Sequence, residues 1–225
     1  MKRVLVFILM MMILFAGCTD NSEIIEDLNE QIDEKAIEIE DLNKQIHEQN
    51  IKIEELSKDN DLVSDEAFIV MALLKDQDWI GLSSHIHPEK GVRLSPYQYV
   101  DVNSDQVFTS DEIHSILASS KIYSWGIYDG SGELIEMNFT EYYDRFIYDE
   151  DFINASIIGN NNVVSYGNTI NNIGEVYDDA YFIEFYFPGF DPQYAGMDWR
   201  SSTLVFEKYE GSWYLAGIVH GEWTI

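Results

Sequence analysis

The sequence is poor in cysteine and in basic residues, and each shortage removes a class of protein. Cys18 is the only cysteine among 225 residues, so no intramolecular disulfide can form and no CxxC motif exists. Thirteen Lys and Arg stand against 41 Asp and Glu, a net charge of −28. A surface of that sign repels phosphate backbones and anionic headgroups, which argues against nucleic acid and against polybasic docking on membranes. Six basic and 14 acidic residues lie up to Asn60; seven and 27 lie beyond it, so the C-terminal part alone carries −20. Also missing are a nucleophile elbow around a Ser, an HExxH pair and a phosphate-binding loop, so no motif names a reaction. Proline and glycine are absent from residues 21–58.

Long apolar runs are scarce as well, and the one present is informative. MKRVLVFILMMMILFAGC opens with Lys2 and Arg3, continues with unbroken apolar residues from Val4 to Phe15, and ends in small residues before Cys18. The run is about half the ~20 residues a membrane-spanning helix needs, so it reads as a secretory signal over 1–17. Phe15-Ala16-Gly17-Cys18 resembles the lipobox of bacterial lipoproteins, with Phe where that motif usually has Leu. The resemblance implies lipidation of Cys18, cleavage before it, and anchoring on the outer, extracytoplasmic face of the cell membrane. Acyl chains anchor through ~0.8 kcal/mol per buried CH₂. The mature chain would then hold 208 residues, ample for a core without staples.

Residues 21–58 repeat every seven. Ile25, Ile32, Ile39, Ile46 and Ile53 occupy one seam position, and Leu28, Lys35, Leu42, Gln49 and Leu56 follow three residues after each. Ile at a with Leu at most d positions predicts a coiled coil, with a parallel homodimer favoured and a trimer open. A helix of this length spans roughly 57 Å at 1.5 Å per residue, a stalk for the C-terminal domain. Ile24, Ile37 and Ile51, off the seam, leave an amphipathic helix folded on its own domain as the alternative.

From residue 61 to 225 the pattern becomes that of an α+β domain. Ser64-Asp65-Glu66 predicts a helix start, with the helix running to about Ser84. A loop through Pro88, Gly91 and Pro96 comes next, then a short helix near 111–118, strands at 121–128 and 134–138 around an Asp129–Gly132 turn, and a helix capped by Thr140. Residues 159–174 read as loop with one short strand at most. AYFIEFYF (180–187), STLVFEKY (202–209) and WYLAGIVH (213–220) are strands, with Tyr181, Ile183, Phe185 and Phe187 on one face. The expectation is a curved antiparallel sheet packed on helices. This order resembles the nuclear-transport-factor-like, cystatin-like cone fold, and HPEKGVRLSPY (87–97), YSWGIYDGSGE (123–133) and AGIVHGEWTI (216–225) are similar to stretches of uncharacterised bacterial lipoproteins. The resemblance implies a pocket between sheet and helices, used in relatives for binding or for acid–base catalysis.

Candidate ligand-binding residues are Arg93, Trp125, Tyr128, Arg145, Trp199 and Arg200; in so acidic a domain the three arginines most simply form structural ion pairs, with anion recognition as the alternative. His87, His220 and Glu222 are the catalytic candidates, since a His near a carboxylate can act as a base. DVNSDQVFTSDE (101–112) has the ligand spacing of an EF-hand, with Asp101, Asn103, Asp105, Thr109 and Glu112. Gln106 stands where that loop needs glycine, and Thr109 to Glu112 form a capping box that explains two of the five without metal. No cofactor is expected, with Ca²⁺ the one ion left open. The leading expectation is a non-enzymatic binding or interaction module, with a cell-wall glycan or a protein as partner. A cone-fold enzyme with a His/carboxylate pocket and a purely structural envelope spacer are the alternatives.

Overall fold

A computed structural model describes the backbone of residues 2–224 and the side chains of residues 21–224. Cys18 and the lipobox fall outside the residues whose side chains are described. The chain divides into two compact units, Met1–Ser57 and Lys58–Ile225. Among the described residues no helix is long and apolar enough to cross a membrane.

The first unit is helical, part of α1 (Lys2–Asp76). Its heptad isoleucines are uncovered: Ile25, Ile32, Ile39, Ile46 and Ile53 are each 54–63% exposed. Lys35, the charged break in the seam, pairs with Glu38. Gln31 and Gln45 donate to Asp27 and Asp41, each four residues earlier. Such pairs add only a few tenths of a kcal/mol each to a helix, so they do not replace burial of the seam.

In the second unit α1 is followed in order by α2 (Trp79–Ser83), β1 (Val92–Ser95), β2 (Gln106–Phe108), α3 (Ser110–Ser115), β3 (Ile122–Ile127), β4 (Leu134–Asn138) and α4 (Phe139–Tyr142). Then come β5 (Ile157–Asn160), α5 (Ile173–Val176), β6 (Tyr181–Phe187), β7 (Arg200–Tyr209) and β8 (Ser212–Glu222). The expected helix start at Ser64 does not occur. Ser64 lies inside α1, and its hydroxyl accepts from Asn160 Nδ2 at 2.9 Å instead of capping. The helix stops at Asp76, short of Ser84, because Gln77 turns left-handed at φ +54° and Asp78 caps α2 by accepting from Gly81 N.

Val63, Ala67, Val70, Met71 and Leu74 recur at three- and four-residue steps and are wholly buried, which makes one face of α1 part of the core. That face shares a cluster with Ile183, Phe185, Leu204, Phe206, Leu215 and Ile218 of the sheet. The other side of the sheet carries Val205, Ala216 and Val219 under Ile173 and Tyr177, so β7 and β8 are buried on both faces.

The main sheet has six strands in the order β2-β1-β8-β7-β6-β5, and β3-β4 form a separate hairpin. The sheet is mixed rather than antiparallel: β1 runs parallel to β8, with Arg93 opposite Gly217 and Ser95 opposite Val219. The last strand enters between β1 and β7, and that insertion gives it one parallel and one antiparallel neighbour. A register shift between Val205 and Phe206 marks a bulge that adds bend to the longest pair. Asn138, not Thr140, caps α4, with Glu141 completing its capping box. A single π-turn, Tyr143–Ile147, continues it and buries Phe146 and Ile147.

Candidate functional site

A cleft of about 530 Å³ opens in the second unit. Three short segments and a loop build it. Pro96, Tyr97 and Tyr99 follow β1; Asp101, Ser104 and Asp105 form the next turn; Trp125, Gly126 and Ile127 end β3, with Asp129 beyond; Thr169 and Ile170 come from the long loop before α5.

Each segment has a local reason for its shape. The register of β3 against β4 shifts between Ser124 and Ile127, and Gly126 sits in that bulge at φ +105°, a conformation glycine adopts without penalty. The bulge turns Trp125 fully inward, where its indole N–H donates to Met137 O at 3.0 Å. Its ring stacks on Tyr142 of α4 at 3.7 Å between centroids. A side chain at Gly126 would meet nothing nearer than Ser104 Cβ at 3.8 Å, so the bulge faces open space. Tyr97 leans on Phe146, and its hydroxyl accepts from Asp129 N at 3.3 Å.

The 101–105 turn is held by its own carboxylates. Asp101 Oδ1 accepts from Asn103 N at 3.0 Å and Oδ2 from the Ser104 hydroxyl at 2.8 Å. These bonds, the Ser104 hydroxyl first, hold its carboxyl below the usual range. Asp105 Oδ2 accepts from Ser95 Oγ and from Asp101 N. Burial pushes the Asp105 carboxyl up to about 7, against the pull of those bonds and of Arg93.

Glu112 is taken by the capping box it forms with Thr109 at the start of α3, and both halves of that box are present. Among the described residues no group of three or more His, Cys, Asp or Glu side chains could hold a metal. Asp101 and Asp105 line the cleft, while Asn103 and Glu112 do not.

Of the ligand-binding candidates, Trp125 alone lines the cleft. Arg145 and Arg200 belong to a partly buried ion network at the end of β8. Arg145 and Arg200 both pair with Glu222, and Arg200 Nε donates to Asp149 Oδ2 at 3.0 Å. His220, wholly buried, meets Asp149 through Nε2 at 3.2 Å and Pro96 O through Nδ1 at 3.2 Å. Both ring nitrogens thus face oxygen atoms. Burial raises the Asp149 carboxyl, but His220 and Arg200 outweigh it and leave it below its ordinary value. His220 and Glu222 therefore do not pair with each other; Asp149 stands between them as the unforeseen partner.

His87 is buried between Tyr209 and Tyr214, and its Nδ1 accepts from the backbone N–H groups of Glu89 and Lys90. Burial lowers its pKa, consistent with a neutral ring used as a turn cap. Arg93 donates to Val102 O at 3.4 Å beside a second hollow with Tyr177 and Glu207. Trp199 is buried beneath Gly167 and Gly221, where any Cβ would meet its ring within 3.0 Å. Tyr128 packs against Phe146 at the hairpin turn. Tyr97, Tyr99, Ile127, Asp129 and Ile170 line the cleft without having been foreseen. The signal that could have found them is Pro96-Tyr97-Gln98-Tyr99 running straight into the Asp101 turn, an aromatic pair beside a fixed carboxylate.

No family model matches the chain, and no curated protein or solved structure shows significant similarity to it.

Proposed function

We propose that the protein is a lipid-anchored binding protein of the bacterial cell surface: an acyl-modified Cys18, a parallel coiled-coil dimer over 21–58, and a cone-like α+β domain presenting one small-molecule cleft. The observation that carries the binding assignment is the cleft itself. It combines aromatic and aliphatic walls from Tyr97, Tyr99, Ile127 and Ile170 with a few placed polar groups, the usual make-up of a ligand site. The uncovered seam isoleucines support the dimer, because a stripe of that length is stable in water only when a second helix covers it. The curved sheet wrapped on a long helix supports the cone-like reading. A His-based enzyme is the weaker account, since His87 and His220 lie outside the cleft, with His87 Nδ1 and both nitrogens of His220 engaged.

Two measurements test the proposal. Millimolar 2-phenylethanol, a neutral apolar probe, is expected to shift the methyl resonances of Ile127 and Ile170 in the full chain; unmoved methyls with every probe tried would remove the cleft as a site. Cys18→Ala is expected to move the protein from the membrane to the soluble fraction, and a variant still in the membrane would remove the anchor.

A further inference from the structure

The cleft carries charge of one sign only. Asp101, Asp105 and Asp129 contribute to its wall, and no Lys, Arg or His does. We infer that the ligand is a cation with an apolar body, an ammonium group on an aromatic or branched aliphatic frame, held by Asp105. The inference rests on the cleft being the binding site, as proposed above, and adds the class of ligand.

Asp105 is the central group. Its Oδ2 already accepts two bonds, from Ser95 Oγ and Asp101 N. Among the described residues nothing donates to its Oδ1, which is not sealed from solvent. One oxygen therefore fixes the carboxylate while the residue lines the cleft. Groups that bear on it come from every neighbouring element: Arg93 on β1, Asp101 in the turn, Tyr142 on α4 and Tyr177 after α5. Arg93 is the only cation of these, and it makes no salt bridge to Asp105 but donates to Val102 O. A largely buried carboxylate without a paired cation is costly to ionise, and an ammonium in the cleft supplies the missing partner.

The remaining walls suit the same ligand. Tyr97 and Tyr99 put two aromatic rings beside the cleft, and ring faces attract ammonium groups. Ile127 and Ile170, both more than half exposed at the rim, offer contact to an apolar body. A carboxylate or phosphate ligand would meet only like charge. The net charge of −28 steers cations from a distance, but screening at a Debye length of ~8 Å confines that to the approach.

The test compares three probes of one shape on the full chain in non-ionic detergent, by calorimetry at pH 8 and 0.15 M salt: 2-phenylethylammonium, 2-phenylethanol and phenylacetate. The cation is expected to bind at least tenfold tighter than the alcohol, and phenylacetate not at all. Asp105→Asn keeps both acceptor bonds of the turn and is expected to cut the preference below threefold. Asp179→Asn, an equal loss of charge at an exposed turn, is expected to leave the preference intact. The preference is expected to shrink at pH 5.5 in the wild type. Equal binding of cation and alcohol overturns the inference but spares the cleft. Equal effects of Asp105→Asn and Asp179→Asn also overturn it, since the attraction would then belong to the whole surface. Binding by none of the probes overturns both readings.

Discussion

Replacing Asp105 by Asn should make the protein more stable at pH 8 and leave it unchanged near pH 4. The carboxyl titrates at about 7 in the folded chain against 3.8 for an unperturbed Asp, because burial disfavours its charge. Below pH 3.8 it is neutral in both states and contributes nothing. Between 3.8 and about 7 the unfolded chain releases this proton and the folded chain keeps it, so stability falls as pH rises. Above 7 the loss is complete. A pH interval of about three, at 1.36 kcal/mol for each pH unit, sets a ceiling of about 4 kcal/mol. Solvent reaching Oδ1 reduces that, and the amide replaces charge-assisted bonds from Ser95 and Asp101 with neutral ones, a loss of about 1 kcal/mol. A net gain of about 1–3 kcal/mol at pH 8 remains, or roughly 2–10 °C in melting temperature for a domain of this size. Urea denaturation followed by circular dichroism at unit steps from pH 4 to pH 8 measures it. A variant no more stable than wild type at pH 8, or an advantage that does not fade toward pH 4, would refute the account of Asp105 as an unpaired, desolvated carboxylate.

Asp149→Ala should destabilise the fold by about 2 kcal/mol or more, because it leaves the buried His220 without its carboxylate and Arg200 with Glu222 alone; denaturant midpoints check this, and a change under about 1 kcal/mol contradicts it. Since the Asp149 carboxyl sits below its ordinary value, its contribution is present above pH 3.8 and is lost as pH falls through the folded value, opposite in sense to Asp105. Thr109→Ala removes the cap of α3 and should cost about 1 kcal/mol by the same assay, with a neutral result pointing to a cap supplied by water. Ile39→Asp in the seam should shift the full chain toward monomer in analytical ultracentrifugation, and an unchanged mass would remove the coiled-coil dimer.

What the sequence showed depended on how local the controlling interactions are. The strands at 134–138, 181–187 and 212–222 were legible because apolar and aromatic residues alternate over enough positions to declare a face. β1 and β2 were not, with four and three residues beside Gly91 and Pro96. β1 owes its place to a parallel partner from the far end of the domain, which no local pattern encodes. Ser64-Asp65-Glu66 reads as a helix start, but the helix was already running and burial of Val63 and Ala67 carried it through. At the site, Trp125 and the Asp101 turn were visible as residues of interest, but not as neighbours. Asp105 looked like one of several loop oxygens; only the packing of Ser95 and Tyr142 around it makes it different from Asp101. The arginines were legible as ion-pair formers, while Asp149, which joins Arg200 to His220, had no pattern to mark it.

The hydrogen bond from His220 to Pro96 O joins the wall of the cleft to the ion network behind it. Pro96 begins the segment that carries Tyr97 and Tyr99, so that segment is pinned by charges that never touch a ligand. A wall fixed in advance gives up little freedom when a guest arrives, and affinity lost to ordering is saved. Loosening the network should therefore weaken capture by raising the entropy of the empty cleft, with every contacting side chain still in place.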